Sequence, residues 1–459
     1  MVRRAAFLSR RGITGTLLAI ALVSACKEEP PTGPVDTPDA AKASTEPTIT
    51  ATDPSSAPLD TTLDVRVLGS GFDRGSKSEF ALDGVVGPNI RTNRTTYKST
   101  KELVANVTIS ADAVEALYDV IVTTSSGKKG IGTERFAVLA IELLGADALG
   151  MDVNSTGIVV GTKAVPTTCG RGSNGAHVWT ETSGLRQLPV PAGTCNASAR
   201  AINDAGVIVG SVNNAAYRWL PDPGGETWVP QSLGLDDASP QDINSRGDIA
   251  LLHNDGNTEI LPSWIGTLWI EGTIVHLPDL PGATRGCKST SINNLRQVVG
   301  SCVYAENSNL TPVIWLSLQS EPTALPQLPG IARSWSNGIN DGAVVVGVAQ
   351  TSAGVNRAVR WVPSGGTWVV EDLGSLGGDS EAKSINNTGQ IVGLSRVGGF
   401  NYHAFVWEAG SGMRDLGALG TQGGQAWAIS DPAAAGAPTF AAGWSYVSAT
   451  PNMVRWRVE

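Results

Sequence analysis

Charge is scarce in this chain. Only 16% of its 459 residues are Asp, Glu, Lys or Arg, and the acidic ones prevail, leaving a net charge of −9. Nucleic-acid binding without sequence preference needs clustered Lys and Arg, so that class is excluded. Histidine is rarer still: His177, His253, His276 and His403 are the whole set. None sits in a ligand spacing and no CxxC pair occurs, so no metal site is expected. The G-x-S-x-G elbow, HExxH and the Walker loop are all missing, so no catalytic residue and no cofactor is assigned. No apolar run reaches the 18 or more residues of a spanning helix; Ile13–Ala25 is too short for a ~30 Å hydrocarbon core.

What the chain has in quantity is glycine (54) and an unexpected share of tryptophan (13). Abundant Gly suits many short strands and tight turns.

The N-terminus reads as an export signal. Arg3, Arg4, Arg10 and Arg11 precede the Ile13–Ala25 apolar stretch, in the order of a secretory leader. Val23-Ser24-Ala25-Cys26 resembles the lipobox of bacterial lipoproteins. That resemblance implies a signal over 1–25, cleavage before Cys26, acylation of Cys26, and the lipid bilayer as a partner. Lys27 in place of Asp implies outer-membrane sorting in a Gram-negative envelope, or the cell surface. Ser9-Arg10-Arg11-Gly12-Ile13 also resembles a twin-arginine motif, although a plain basic segment accounts for it. Residues 26–46 are rich in Pro, Thr, Ala and charge, and cannot bury enough apolar surface to offset chain entropy. They are read as a disordered tether.

Residues 47–140 show β-type alternation in Leu63–Val67 and Leu103–Ile109, with turn signals at Gly69–Phe72 and Ser125–Gly127. About six strands in a β-sandwich are expected. The runs VRVLGSGFDRGS, KELVANVTI and YDVIVTTSSGKKG resemble the IPT/TIG immunoglobulin-like family, which implies a spacer or adhesion module.

From residue 141 a pattern returns every 41 to 49 residues. Its anchors are Asn154, Asn203, Asn244, Asn293, Asn340, Asn386 and Ser430, and an independent series is Trp179, Trp219, Trp269, Trp315, Trp361, Trp407 and Trp456. Such periods mean solenoids or propellers. The unit IN-N-x-G-x-I-V-G reads as strand, turn, strand. Gly157, Gly206, Gly247 and Gly389 take a turn position that needs positive φ, and the Asn side chain can satisfy a turn N–H. A third strand near the Trp and a fourth at "DLG" or "LPDL" make four short strands per unit, as in a propeller blade. The seventh unit lacks its fourth strand, and Ile141–Gly145 reads as the missing one. The expected fold is therefore all-β: an immunoglobulin-like β-sandwich followed by a seven-bladed β-propeller over 141–459, closed by 141–145. HAFVWEAGSGMRDLGALG with INNTGQIVG resembles the HAF family of bacterial extracellular repeats, which implies architecture and location more than activity.

Four cysteines remain after Cys26. Cys287 and Cys302 flank the fourth hairpin and should face each other, and Cys169 with Cys195 form a plausible second disulfide in an exported chain. The periodic Trp residues read as core packing between blades. Trp264 and Trp335 break the period, fall in apparent connections, and are the candidate ligand contacts. Asp379, Glu381 and Glu306 are acidic residues on plausible loops, with nothing in the sequence to bring them together. Segments 163–175, 252–265 and 302–311 vary in length on one face, where binding sites concentrate over a rigid scaffold. The favoured function is a monomeric, non-enzymatic module binding an envelope or extracellular protein or glycan through that face. An envelope polysaccharide hydrolase or lyase at the channel mouth, and a purely structural component, are the alternatives.

Overall fold

The computed structural model describes residues 46–458 except 55, 60, 111, 115, 140, 166–172, 255–263, 305–308, 400, 420–421 and 448. Every regular element among them is a strand. Cys26, Cys169, Glu306 and the signal and tether segments lie outside the described residues. Residues 45–459 form one unit.

Residues 48–139 make two four-stranded sheets around one core. Val65, Val67, Leu103, Ala105 and Val107 of one sheet face Phe80, Val120, Val122 and Phe136 of the other, and the two phenyl rings meet edge to face at 5.0 Å. The described strands number eight where the sequence suggested about six. The additional ones carry little apolar alternation: Ser56–Pro58 spans three residues, and Ile90–Ser99 (IRTNRTTYKS) turns most of its side chains to solvent.

The rest of the chain folds as successive four-stranded antiparallel meanders. Their innermost strands are Ala148–Val153, Ala197–Ile202, Ala238–Ile243, Gly286–Ile292, Ile331–Ile339, Ser380–Ile385 and Gly424–Ile429. Second strands carry continuous apolar runs such as Val345–Ala349 and Ile391–Ser395, every residue of them buried. They are buried on both faces because each sheet is packed between two others. Outer strands such as Thr273–His276 are largely exposed. The third and fourth meanders are joined by a short parallel contact, Trp264↔Gly286 and Ile265↔Cys287. The last sheet takes its fourth strand from Ile141–Ala146, with Ile141 opposite Trp456. A separate apolar cluster lies between each pair of consecutive sheets. The one holding Leu144, Val153, Val159, Trp179, Ala442 and Met453 joins the last sheet to the first, so the sheets form a closed ring.

Periodic tryptophans hold neighbouring sheets together in two ways. Trp219, Trp315 and Trp361 are fully buried and donate their indole N–H to the carbonyls of Pro189, Pro278 and Pro326, just past the last strand of the preceding sheet. Trp179, Trp269 and Trp407 instead lie under the guanidinium groups of Arg455, Arg218 and Arg360, 4.3 to 4.6 Å from the ring centroids.

Candidate functional site: the central channel

The turn between first and second strands fixes one end of the ring. In six sheets the anchoring Asn is buried and its side chain is used at both ends. Asn386 Oδ1 accepts the Gln390 N–H at 2.9 Å, closing the turn, while its Nδ2 donates to the Ser430 carbonyl of the next sheet at 3.0 Å. Asn154, Asn203, Asn244, Asn293 and Asn340 make the same pair of bonds, each passing to the next. Gly389, at φ 88°, supplies the left-handed turn residue. Ser430 cannot reach onward, and at that joint Arg455 takes over. Its guanidinium donates to the Gly157 carbonyl at 3.0 Å and to Glu142 and Glu181.

Each inner strand carries a β-bulge at one place, three residues before the anchor. The register shifts lie between Gly150 and Asp152, Ala199 and Ala201, Pro240 and Asp242, Ser289 and Ser291, Ser336 and Gly338, Ala382 and Ser384, and Ala426 and Ala428. A bulge re-aims one side chain. The seven skipped residues are Met151, Arg200, Gln241, Thr290, Asn337, Lys383 and Trp427, and all seven line one axial cavity of about 280 Å³. Flanking positions are small and buried (Ala199, Ser289, Ser336, Ala382, Ala426), because the sheets lie closest together near the axis. The repeat thus builds a constant frame that presents one non-repeating side chain per sheet.

Two carboxylates lie deeper, where the cavity meets a second one of about 170 Å³ at the turn end. Asp152 accepts the backbone N–H groups of Ile202 (2.7 Å) and Val153 (2.9 Å). Asp242 accepts from Ile292 N (2.9 Å), Ser291 Oγ (2.5 Å) and Ile243 N (2.8 Å). Asp152 keeps some contact with channel solvent, yet protein surrounds it. Loss of bulk water, with a smaller contribution from the Asp242 charge, pushes its carboxyl up to about 8. Burial raises Asp242 as well, against the hydrogen bonds from Ser291, Ile292 and Ile243.

Cations stand at the other end. Arg200 Nη2 donates to the neutral Gln241 Oε1 at 2.9 Å. Burial lowers the pKa of both Arg200 and Lys288, and no carboxylate offsets it at either group. Lys383 bonds Glu381 at 2.6 Å and stands 4.7 Å from the Trp427 ring centroid, and Trp427 stacks on Trp444 at 5.1 Å.

The residues singled out from the sequence fare unevenly. Cys287 and Cys302 are register partners and form a disulfide. Cys195 is disulfide-bonded too. Trp264 and Trp335 are not in connections. Trp264 opens the strand Trp264–Ile270, paired with Asn254 on one side and Gly286 on the other. Trp335 lies inside Ile331–Ile339, opposite Val348, because that inner strand begins well ahead of its motif. Asp379 is engaged by Arg396 (2.9 Å) and Tyr402, and Glu381 by Lys383 and Asn356, so these acids do not converge.

No histidine lines the channel cavities among the described residues. His177 is buried against the Gly175 carbonyl, which fits a structural role. His403 pairs with Asp415 at 2.9 Å in a cleft of about 570 Å³ that Leu117 and Val138 of the sandwich also line. Ser56, the hydroxyl in that cleft, donates to the Ala418 carbonyl instead of the imidazole, so no nucleophile–base pair forms there.

The bulged column was open to view in the sequence, since MDVN, RAIN, QDIN, TSIN, NGIN, KSIN and WAIS differ in their first letter every time. A position that varies inside a repeated motif was the signal for it.

No protein-family model matches the chain, and no curated protein is similar to it. Solved structures to which it is similar include the β-propeller domain of the Trilobed protease from Pyrococcus furiosus, at 9% identity over 91% of this chain and 95% of that one, TM-score 0.34. Porphyromonas gingivalis dipeptidyl peptidase 4 matches at 10% identity over 75% and 59%, TM-score 0.38. A Hadza microbial sialidase matches at 9% identity over 90% and 99%, TM-score 0.43. The chain is all-β and its structural neighbours include β-propeller proteins; likeness at this level carries nothing about activity.

Proposed function

We propose that this chain is an exported lipoprotein, acylated at Cys26, in which an immunoglobulin-like sandwich precedes a seven-bladed propeller that works as a non-enzymatic binding module. Its ligand enters the axial channel from the face of the variable loops. One observation carries this reading: the position that never repeats in seven repeats is the one whose side chain lines the channel. A purely structural ring has no need of seven different residues there. A hydrolase needs carboxylates free to exchange protons with substrate, whereas Asp152 and Asp242 each hold backbone N–H groups of two sheets. The partner is an envelope or extracellular glycan or protein, and the location is the outer membrane or cell surface.

The test is calorimetric titration of the full chain with envelope glycans and proteins, alongside assays for released product. Saturable binding without turnover, abolished by Trp427→Ala, is expected. Steady product release from any polymer would replace the binding reading with the hydrolytic one.

A further inference from the structure

The channel is electrically lopsided, and that restricts what it can hold. At the turn end Asp204, Asp341 and Asp431 line the cavity, and among the described residues no Lys or Arg does. Asn387 Nδ2 bridges the carboxylates of Asp341 and Asp431 at 3.1 and 2.7 Å, which fixes them in place. At the opposite end, where the inner strands emerge from the connections between sheets, the cavity lining includes Arg200, Lys288 and Lys383, while Asp152 and Asp242, whose carboxyls burial raises towards the neutral form, line its deep end. Lys383 is neutralised by Glu381. Arg200 meets only a neutral amide, and the Lys288 ammonium has no hydrogen-bond or ion-pair partner among the described residues. Both side chains are half-buried, and a partly desolvated cation without a bonded counter-charge is costly unless something supplies one. An anion approaching from the turn end meets three carboxylates, so entry is restricted to the cationic mouth.

Two neutral groups of the same lining offer acceptors. Asn337 spends its Nδ2 on the Ala382 carbonyl at 2.7 Å, leaving Oδ1 for a donor. Thr290 Oγ1 donates to the Val299 and Ser336 carbonyls, leaving its lone pairs. A cavity of about 280 Å³ stands at the small end of ligand pockets. We propose that this mouth binds a small carboxylate-bearing saccharide, with its carboxylate held by Arg200 and Lys288 and its hydroxyls donating to Asn337 and Thr290. The guanidinium fork matches a carboxylate in two parallel bonds, and the ammonium adds a point charge beside it. This rests on the channel being the binding site, as proposed above.

The experiment titrates the full chain with galacturonate and its short oligomers, with galactose, with inorganic phosphate and with an acidic hexapeptide, followed by calorimetry and tryptophan fluorescence. Uronate should bind with an affinity that falls as salt rises, and galactose should not bind. Arg200→Met and Lys288→Met should each weaken uronate roughly tenfold or more, the loss of at least one charge-assisted hydrogen bond. Lys288→Arg should retain most of the binding with an unchanged near-ultraviolet spectrum, which separates lost charge from lost fold. Lys129→Met, an exposed change on the sandwich, controls for net charge. Tighter binding of phosphate or of the peptide than of uronate overturns the saccharide assignment and leaves the channel reading standing. So does binding of galactose that ignores Arg200 and Lys288. If no probe binds and Trp427→Ala alters no interaction found in the wider screen, both readings fall.

Discussion

Asp152 shows how a single residue can serve the frame at a price set by pH. Its carboxyl is raised from the ordinary value of 3.8 to about 8 in the folded chain. A group raised in this way favours the folded state most below pH 4, and its contribution fades as pH climbs through 8. Thermal stability should therefore fall between about pH 4 and pH 8. Asp152→Asn should lower stability at acid pH, because an amide cannot accept both backbone N–H groups, yet flatten the slope. A melting series in which both proteins show the same slope would refute this assignment of the titration. The anchoring Asn residues are simpler. Both ends of each side chain are used inside the protein, so they are scaffold and carry no ligand chemistry.

The inner hairpin depends on two glycines for separate reasons. Gly389 supplies positive φ in its turn. Gly393 faces the bulge, where an added Cβ would overlap the Glu381 carbonyl oxygen. Gly161, Gly210, Gly300, Gly347 and Gly443 stand in the same relation to their own inner strands. In these six sheets the "IVG" glycine leaves the room that the carbonyl before the bulge occupies. Gly393→Ala should destabilise by about 1–3 kcal/mol, the usual range for overpacking, and should also displace Lys383 from the channel. Denaturant midpoints measure the first effect. An equally stable Gly393→Ala protein would mean that the bulge tolerates a side chain. The third sheet shows how the frame adapts, since Leu251 replaces that glycine and pairs with Pro240 at its bulge.

At the scale of the molecule the weak point is the seam between the last sheet and the first. Elsewhere an Asn crosses each joint; here Arg455, 9% exposed, reaches Gly157, Glu142 and Glu181 and lies between Trp179 and Phe440 at 4.5 and 4.6 Å. Arg455→Met keeps much of the packing but removes the charge-assisted bonds, and should cost about 1.5–3 kcal/mol. Limited proteolysis should then cut the first and last sheets before the middle ones; cleavage spread evenly around the ring would contradict a local seam. Attachment is tested separately. On the lipoprotein reading proposed above, Cys26→Ser should move the protein from the membrane fraction to the soluble one, since no acyl chain is then attached. Retention of the variant on membranes would show that Cys26 is not what holds it.

Strand count per repeat, turn glycines, anchoring Asn residues and the Cys287–Cys302 contact could be read from the sequence. Each depends on residues close together along the chain, and the repeat displays it several times. Trp264 and Trp335 looked like residues of connections because their strands run past the repeated motif, which only the ladder of backbone hydrogen bonds reveals. The channel residues stood in the sequence from the start, yet their direction did not. An inner strand with ordinary alternation would aim Lys383 or Trp427 by parity alone. A bulge in the pairing with the neighbouring strand decides it instead. The shared cavity lined by Arg200, Lys288 and Asp242 likewise exists only once the ring closes. Local chemistry was fixed by the order of residues, and the site was decided by pairing between strands and packing between sheets far apart in the chain.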